Sequence, residues 1–254
     1  MKYILSFSGG KDSTFLLLEL IRRKYPLDEV VFFDTGWEFP VMYEHIEKCK
    51  KICENNGITF VTLHSEKSFD YWMFDHVAKD GEIGFSWCGG LCRWGTRLKI
   101  NALDKYHRQS GAHINYIGIA ADETERLEKE RDECKRFPLA EWGITEAECL
   151  RGCYEAGFDW GGMYDHLDRL SCMFCKNKNL KELRNIRKHY PEVWDKLKDY
   201  QRRTDRPYKG EGKSVFDLET RFALEDERTA AGLSITNREF HEKLKEILQN
   251  ENQT

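Results

Sequence analysis

Lys2-Tyr3-Ile4-Leu5-Ser6-Phe7-Ser8-Gly9-Gly10-Lys11-Asp12-Ser13-Thr14 sets an apolar run against a glycine pair, and Phe15-Leu16-Leu17-Leu18 follows at once. Lys2–Phe7 reads as a short buried strand, and Ser13–Lys24 as a helix with Phe15, Leu16, Leu18 or Leu20, and Ile21 on its apolar side. Two glycines between strand and helix permit a tight turn whose N–H groups can approach an anion. The first helical turn directs unpaired donors and the positive dipole end at the same point. Ser8, Gly9, Gly10, Lys11, Asp12 and Ser13 therefore form a candidate polyphosphate cradle, in which Lys11 adds a mobile charge and the two serines add hydroxyl donors. The spacing is neither G-x-x-x-x-G-K-[ST] nor G-x-G-x-x-G, because Lys11 follows the glycine pair directly and precedes Asp12.

Outward from this stretch the pattern repeats. Val30–Phe33 reads as a second buried strand, Phe39–Asn56 as a helix stopped by Asn55-Asn56-Gly57, and Ile58–Leu63 as a third strand. Strands joined through helices by right-handed crossovers predict a parallel sheet covered on both faces. Residues 65–92 lack periodicity and read as an irregular excursion that carries part of a site. Arg93–Gln109 reads as a helix and Ile114–Ala120 as a strand ending in Asp122-Glu123-Thr124-Glu125-Arg126. Thr145–Ala156 follows as a helix with Glu148 at the capping-box position. Asn179–Arg203 is an amphipathic helical stretch interrupted near Pro191, and the last forty residues are charged and partly helical. The fold class is α/β, an open, mostly parallel, doubly wound Rossmann-like sheet with a helical C-terminal region. Residues 1–170 are expected as an α/β domain and 171–254 as a helical, basic region.

Composition narrows the function. With 254 residues, 40% hydrophobic and 33% charged, the chain can bury a core, which excludes disorder, collagen and a fibrous coiled coil. Its longest apolar runs fall far short of the roughly 18 residues of a membrane span. The first residues lack the pattern of a secretory signal, so a cytoplasmic location is expected. In a reducing compartment nine cysteines are read first as ligands or reactive thiols. Cys88 and Cys92 form C-x-x-x-C and Cys172 and Cys175 form C-x-x-C, together four thiolates suited to a tetrahedral Zn²⁺ or a [4Fe–4S] cluster. Cys49/Cys53 and Cys149/Cys153 are weaker ligand sets at i, i+4, explained equally by helix faces turned to a core. Cys134, beside Lys135 and Arg136, is the candidate exposed thiol. The net charge is −4, yet Lys176 to Lys213 holds 13 Lys or Arg against 6 Asp or Glu, a local +7. That stretch is a candidate surface for tRNA or DNA, with a solvated helix face as the competing reading.

Ser8-Gly9-Gly10-Lys11-Asp12-Ser13 resembles the PP-loop of ATP pyrophosphatases, which cleave ATP between the α and β phosphates and transfer AMP. Phe33-Asp34-Thr35-Gly36-Trp37-Glu38-Phe39-Pro40 resembles the Asp-Thr-Gly element of phosphoadenosine-phosphosulfate (PAPS) reductase-like proteins. Gly118–Arg126, Lys135–Trp142 and the two short cysteine pairs resemble further elements of the same branch, over about residues 3–205. The resemblance implies a sheet of the adenine nucleotide alpha hydrolase type and a bound adenine nucleotide, ATP with Mg²⁺. Lys11 and Asp12 would be catalytic, with the phosphates on Ser8–Ser13. Asp34, Thr35 and Gly36 would lie near the adenosine, and Gly118, Glu123 and Arg126 would complete the crevice. It favours iron–sulfur at the cysteines. Two departures separate this chain from sulfonucleotide reductases: no cysteine follows Cys175 to attack sulfur, and Ala120-Ala121 stand where those enzymes carry an Arg. The expected function is an ATP pyrophosphatase that adenylates an acceptor on the way to sulfur transfer to nucleic acid, with a sulfur-donor protein as partner. The alternatives are a PAPS or adenosine-phosphosulfate reductase using thioredoxin, and a non-catalytic nucleotide-binding subunit.

Overall fold

Ile4 and Leu5 are fully buried and Phe7 nearly so, which makes the first strand the middle of the sheet. The structure, a computed structural model, describes residues 1–79, 81–84, 87, 92–129 and 132–251. Five parallel strands lie in the order β3-β2-β1-β4-β5, with β1 Lys2–Phe7, β2 Glu29–Asp34, β3 Thr59–His64, β4 His113–Ile117 and β5 Lys135–Arg136. Ser6 is level with Val31 of β2 and Ile117 of β4. Val30 to Phe33 are all buried, while β3 is half exposed at its edge. The helices are α1 Lys11–Arg22, α2 Pro40–Asn55, α3 Lys99–Gln109, α4 Thr124–Lys129, α5 Pro138–Glu141, α6 Glu146–Glu155 and α7 Met163–His166. Arg93–Leu98 is a π-helical stretch that runs into α3. The predicted strand Ile114–Ala120 stops at Ile117, where the chain turns toward the acidic run.

Strand order reverses after β3, because β4 returns to the far side of β1. In such sheets a crevice opens between the carboxyl ends of the two strands flanking the reversal, here β1 and β4. The loops after Phe7 and Ile117 leave from that point.

Met1–Trp72 with Leu91–Met173 forms one compact unit, and Met73–Gly90 with Phe174–Thr254 forms another. The second unit is helical: α8 Leu180–His189, α9 Pro191–Arg202, α10 Val215–Ala230 and α11 Arg238–Glu251. Capping boxes open α8 at Asn179 with Glu182, and α10 at Ser214 with Asp217. Leu183, Ile186, Val193, Trp194, Leu197 and Phe222 are buried in it. Part of the excursion before residue 90 belongs here: Trp87 Nε1 donates to Arg206 O at 2.9 Å, and its ring packs edge-on to Phe174 and Tyr208. Among the described residues no helix is long and apolar enough to cross a membrane.

Candidate active site at the phosphate loop

Gly9 has φ of +77°, a conformation that calls for glycine, and a Cβ there would lie 2.9 Å from the side-chain ends of Ile46 and Met42, which would have to shift. Gly10 caps α1, which begins at Lys11. The loop is supported from behind by buried side chains. Trp160 Nε1 donates to Gly9 O at 2.9 Å, and the Trp160 ring stacks on His45, centroids 4.7 Å apart. His45 Nε2 is 2.9 Å from Thr14 Oγ1, and Lys11 N donates to Tyr164 Oη at 2.9 Å. In front, Ser8 Oγ and Ser13 Oγ are 3.0 Å apart, and Ser8 N donates to Ser13 Oγ at 3.2 Å. None of Trp160, Tyr164 or His45 was singled out from sequence, since each is one aromatic among many.

Lys11 Nζ lies 2.9 Å from Asp12 Oδ2 and 2.6 Å from Glu146 Oε1. Burial alone would depress the ammonium, but its bonds to the two acids outweigh that and hold it above the usual lysine range. Burial raises the Asp12 carboxyl, Lys11 opposes, and the charges of Glu146 and Glu123 add to the rise. Oxygens of Asp12, Glu123 and Glu146 all lie within 4.8 Å of one another. Three hard oxygen donors suit Mg²⁺. Glu146 escaped the sequence reading because its place in the first turn of α6 gives no hint that α6 packs beside α1.

Gly118 closes the crevice from the β4 side. A Cβ on it would stand 2.9 Å from Ser13 N and 3.1 Å from Asp12 C, so only glycine lets the two backbones meet. Glu123 Oε1 accepts from Ala120 N at 3.1 Å and Glu123 Oε2 from Arg126 at 2.9 Å. A cleft of about 810 Å³ opens here, with Ser8, Ser13, Gly118, Arg126 and Lys99 among its walls. Lys99, which no sequence signal marked, has its pKa lowered by burial, with Glu38 opposing and Arg126 reinforcing. The structure thus gathers the predicted Ser8–Ser13, Gly118, Glu123 and Arg126.

Asp34, Thr35 and Gly36 form a turn of their own at the end of β2 and are not among the residues lining that cleft. Asp34 Oδ1 accepts from Gly36 N at 2.7 Å and from Tyr43 Oη at 3.1 Å. Thr35 Oγ1 donates to Glu38 Oε1 at 2.7 Å, and Gly36 has φ of +72°. Burial, reinforced by Cys172, pushes Glu38 up to about 7.

Of the cysteines expected to hold a metal, Cys88 lies outside the described residues. Cys92 is buried, its Sγ accepting from Gly95 N at 3.0 Å. Cys172 is half-buried and precedes Met173, whose N donates to Trp37 O at 2.8 Å. Cys175 is half-buried in the helical unit, its carbonyl accepting from Tyr208 Oη at 2.8 Å. The rival pairs Cys49/Cys53 and Cys149/Cys153 are buried, and burial raises all four thiols, Cys53 and Cys153 to about 12. They are core thiols. Cys134 is exposed, as expected.

Within the basic stretch, Arg184 pairs with Glu225, Arg187 with Glu219 and Asp226, Lys198 with Asp195, and Arg202 with Asp199. Arg206 pairs with Glu82. At least five of the thirteen cations counted in sequence thus hold carboxylates, several of them from α10, so the local excess does not stand as one unpaired face.

An uncharacterized protein of Methanocaldococcus jannaschii is 24% identical over 216 residues, 76% of this chain and 40% of the relative. An uncharacterized nin region protein of Escherichia phage lambda is 28% identical over 207 residues, 71% of this chain and 67% of its own length. A phosphoadenosine 5'-phosphosulfate reductase of Photorhabdus laumondii is 24% identical over 147 residues, 56% of this chain and 57% of the enzyme. The chain spans under half the length of two matched M. jannaschii proteins, 40% of one and 47% of the other. The profile of the phosphoadenosine phosphosulfate reductase domain matches residues 2–146, the whole stretch from β1 to the first residue of α6, and the chain belongs to that family.

Proposed function

We propose that this protein binds ATP with Mg²⁺ at the Ser8–Ser13 loop and transfers AMP to an acceptor, releasing pyrophosphate. The observation that carries the reading is the meeting of Lys11, the first turn of α1 and the Asp12, Glu123 and Glu146 carboxylates at the crevice between β1 and β4. An acceptor oxygen attacks the α-phosphorus, the bond from that phosphorus to the α–β bridging oxygen breaks, and pyrophosphate leaves with the electron pair. The acceptor proton passes to solvent. Lys11 and the loop N–H groups stabilise the charge gathering on the leaving group. Asp12, Glu123 and Glu146 would hold Mg²⁺, which neutralises phosphate oxygens when bound.

Cys88, Cys92, Cys172 and Cys175 remain the candidate ligands of a [4Fe–4S] cluster or Zn²⁺ on the ground of their spacing, and iron, sulfide and zinc analysis after anaerobic purification tests this. The activity is tested by pyrophosphate release from ATP with candidate nucleic acids as acceptors, which Lys11→Ala should abolish. Release of sulfite from PAPS or adenosine phosphosulfate would instead make the protein a reductase. Tight ATP binding without turnover would make it a binding subunit.

A further inference from the structure

The cleft that begins at Ser8, Ser13 and Gly118 does not end with the loop. It continues along β4 past Ile117 and Asn115 to His113, roughly 15 Å at about 3.3 Å per residue, farther than a phosphate chain at the loop needs. One wall is the sheet and the other is α3, through Leu103, His107 and Arg108.

Midway, where a buried parallel strand is ordinarily apolar, stands a polar pair. Ser6 Oγ donates to Asn115 Oδ1 at 2.9 Å, and Asn115 is only 5% exposed. Its Nδ2 has no hydrogen-bond partner among the described residues. His107, on the opposite wall, has its buried Nε2 without a partner as well. A buried polar atom left unmatched costs about 1–3 kcal/mol, so His107 Nε2 points to a ligand that matches it, and the Asn115 amide on the facing wall can add a second bond. Burial, then His113, keeps the His107 imidazole toward its neutral form, so both groups are neutral hydrogen-bonders suited to the edge of a heterocycle. Leu103 and Ile117 supply apolar lining, and the cations Arg108 and Lys135 line the same cleft together with Asp104 and Asp132.

We infer that this cleft is the acceptor compartment and takes a nucleotide unit, its base on Asn115 and His107 and its phosphate toward Arg108 and Lys135. The inference rests on the phosphate-loop reading, because it is the loop that places an α-phosphate at the upper end of the cleft. The cleft's size suits one nucleotide beside the phosphates.

Cys134 is exposed and lines the same cleft, which makes it a reporter. The test measures alkylation of Cys134, with Cys134→Ser as the blank, in the presence of Mg²⁺ and α,β-methylene ATP, while each of the four nucleoside 5′-monophosphates is added. Calorimetry gives the affinity of the ATP analogue separately. The expected result is that at least one monophosphate slows alkylation without displacing the analogue, whereas inorganic phosphate at the same concentration does not. Asn115→Ala should weaken that monophosphate about tenfold and leave the analogue's affinity unchanged. Analogue binding with no protection by any monophosphate overturns the compartment alone, and so does displacement of the analogue, which would make the cleft the ATP base site. The wild-type protection result stands even if Asn115→Ala fails to fold. Absence of analogue binding to the wild-type protein overturns the phosphate-loop reading and the acceptor assignment with it.

Discussion

Lys11 Nζ stands 2.6 Å from Glu146 Oε1, a contact between residues 135 positions apart that ties the phosphate loop to the first turn of α6. If Glu146 shares a cation with Asp12 and Glu123, Glu146→Gln should raise the Mg²⁺ needed for half-maximal pyrophosphate release by about tenfold or more. Lys11→Ala should cut the rate about 100-fold or more at saturating Mg²⁺. A magnesium titration of both variants separates the two roles, and an unchanged midpoint in Glu146→Gln would remove that residue from the cation site.

Gly118→Ala places a methyl group 2.9 Å from Ser13 N. Backbone on both sides leaves little room to yield, so we expect roughly 1–3 kcal/mol of lost stability and a weaker grip on ATP. Thermal melting and an ATP titration measure the two effects, and wild-type values in both would contradict the close approach of β4 to the loop.

His45 lies under the loop and is 4% exposed; burial first and Lys48 second lower its pKa from 6.5 to about 4. Between those values the unfolded chain takes up a proton that the native imidazole refuses. Stability therefore rises with pH from about 4 to 6.5 and is lost as acid carries the protein back down. The expected size is roughly 3 kcal/mol. Urea melts of wild type and His45→Gln across that window check it: the variant should show the flatter dependence.

Glu225 is 3% exposed and accepts from both Arg184 and Arg221. Removing its charge leaves two guanidinium groups on a buried amide, so Glu225→Gln should destabilise the helical unit by about 3 kcal/mol. A drop below about 1 kcal/mol in chemical denaturation would mean that solvent already screens the pair.

The first half of the fold was legible because its signals are local. Lys2–Phe7 is a strand over the predicted residues, and α2 differs from its prediction by one residue at each end. Apolar runs of three or four residues and a glycine stop carry that information in short windows. β5 was missed because Lys135–Arg136 has two residues and no period, and it pairs only where β4 offers an edge. The loop itself was readable from Gly9, Gly10 and Lys11. Glu146, Lys99, Asn115 and Trp160 were not, since an acid in a first turn, a lysine in a helix or an amide in a strand acquires meaning only from what folding sets opposite it. The basic stretch shows the reverse, since charge counted along the chain is partly cancelled by acids of α10.

The bond from Trp160 to the Gly9 carbonyl has a kinetic consequence. A glycine-rich turn left to itself wanders, and seizing a ligand would first require it to be ordered. Here that ordering accompanies the collapse of the core, through an indole and a stacked imidazole. Encounter should then be limited by diffusion and orientation, with differences in affinity expressed in residence time.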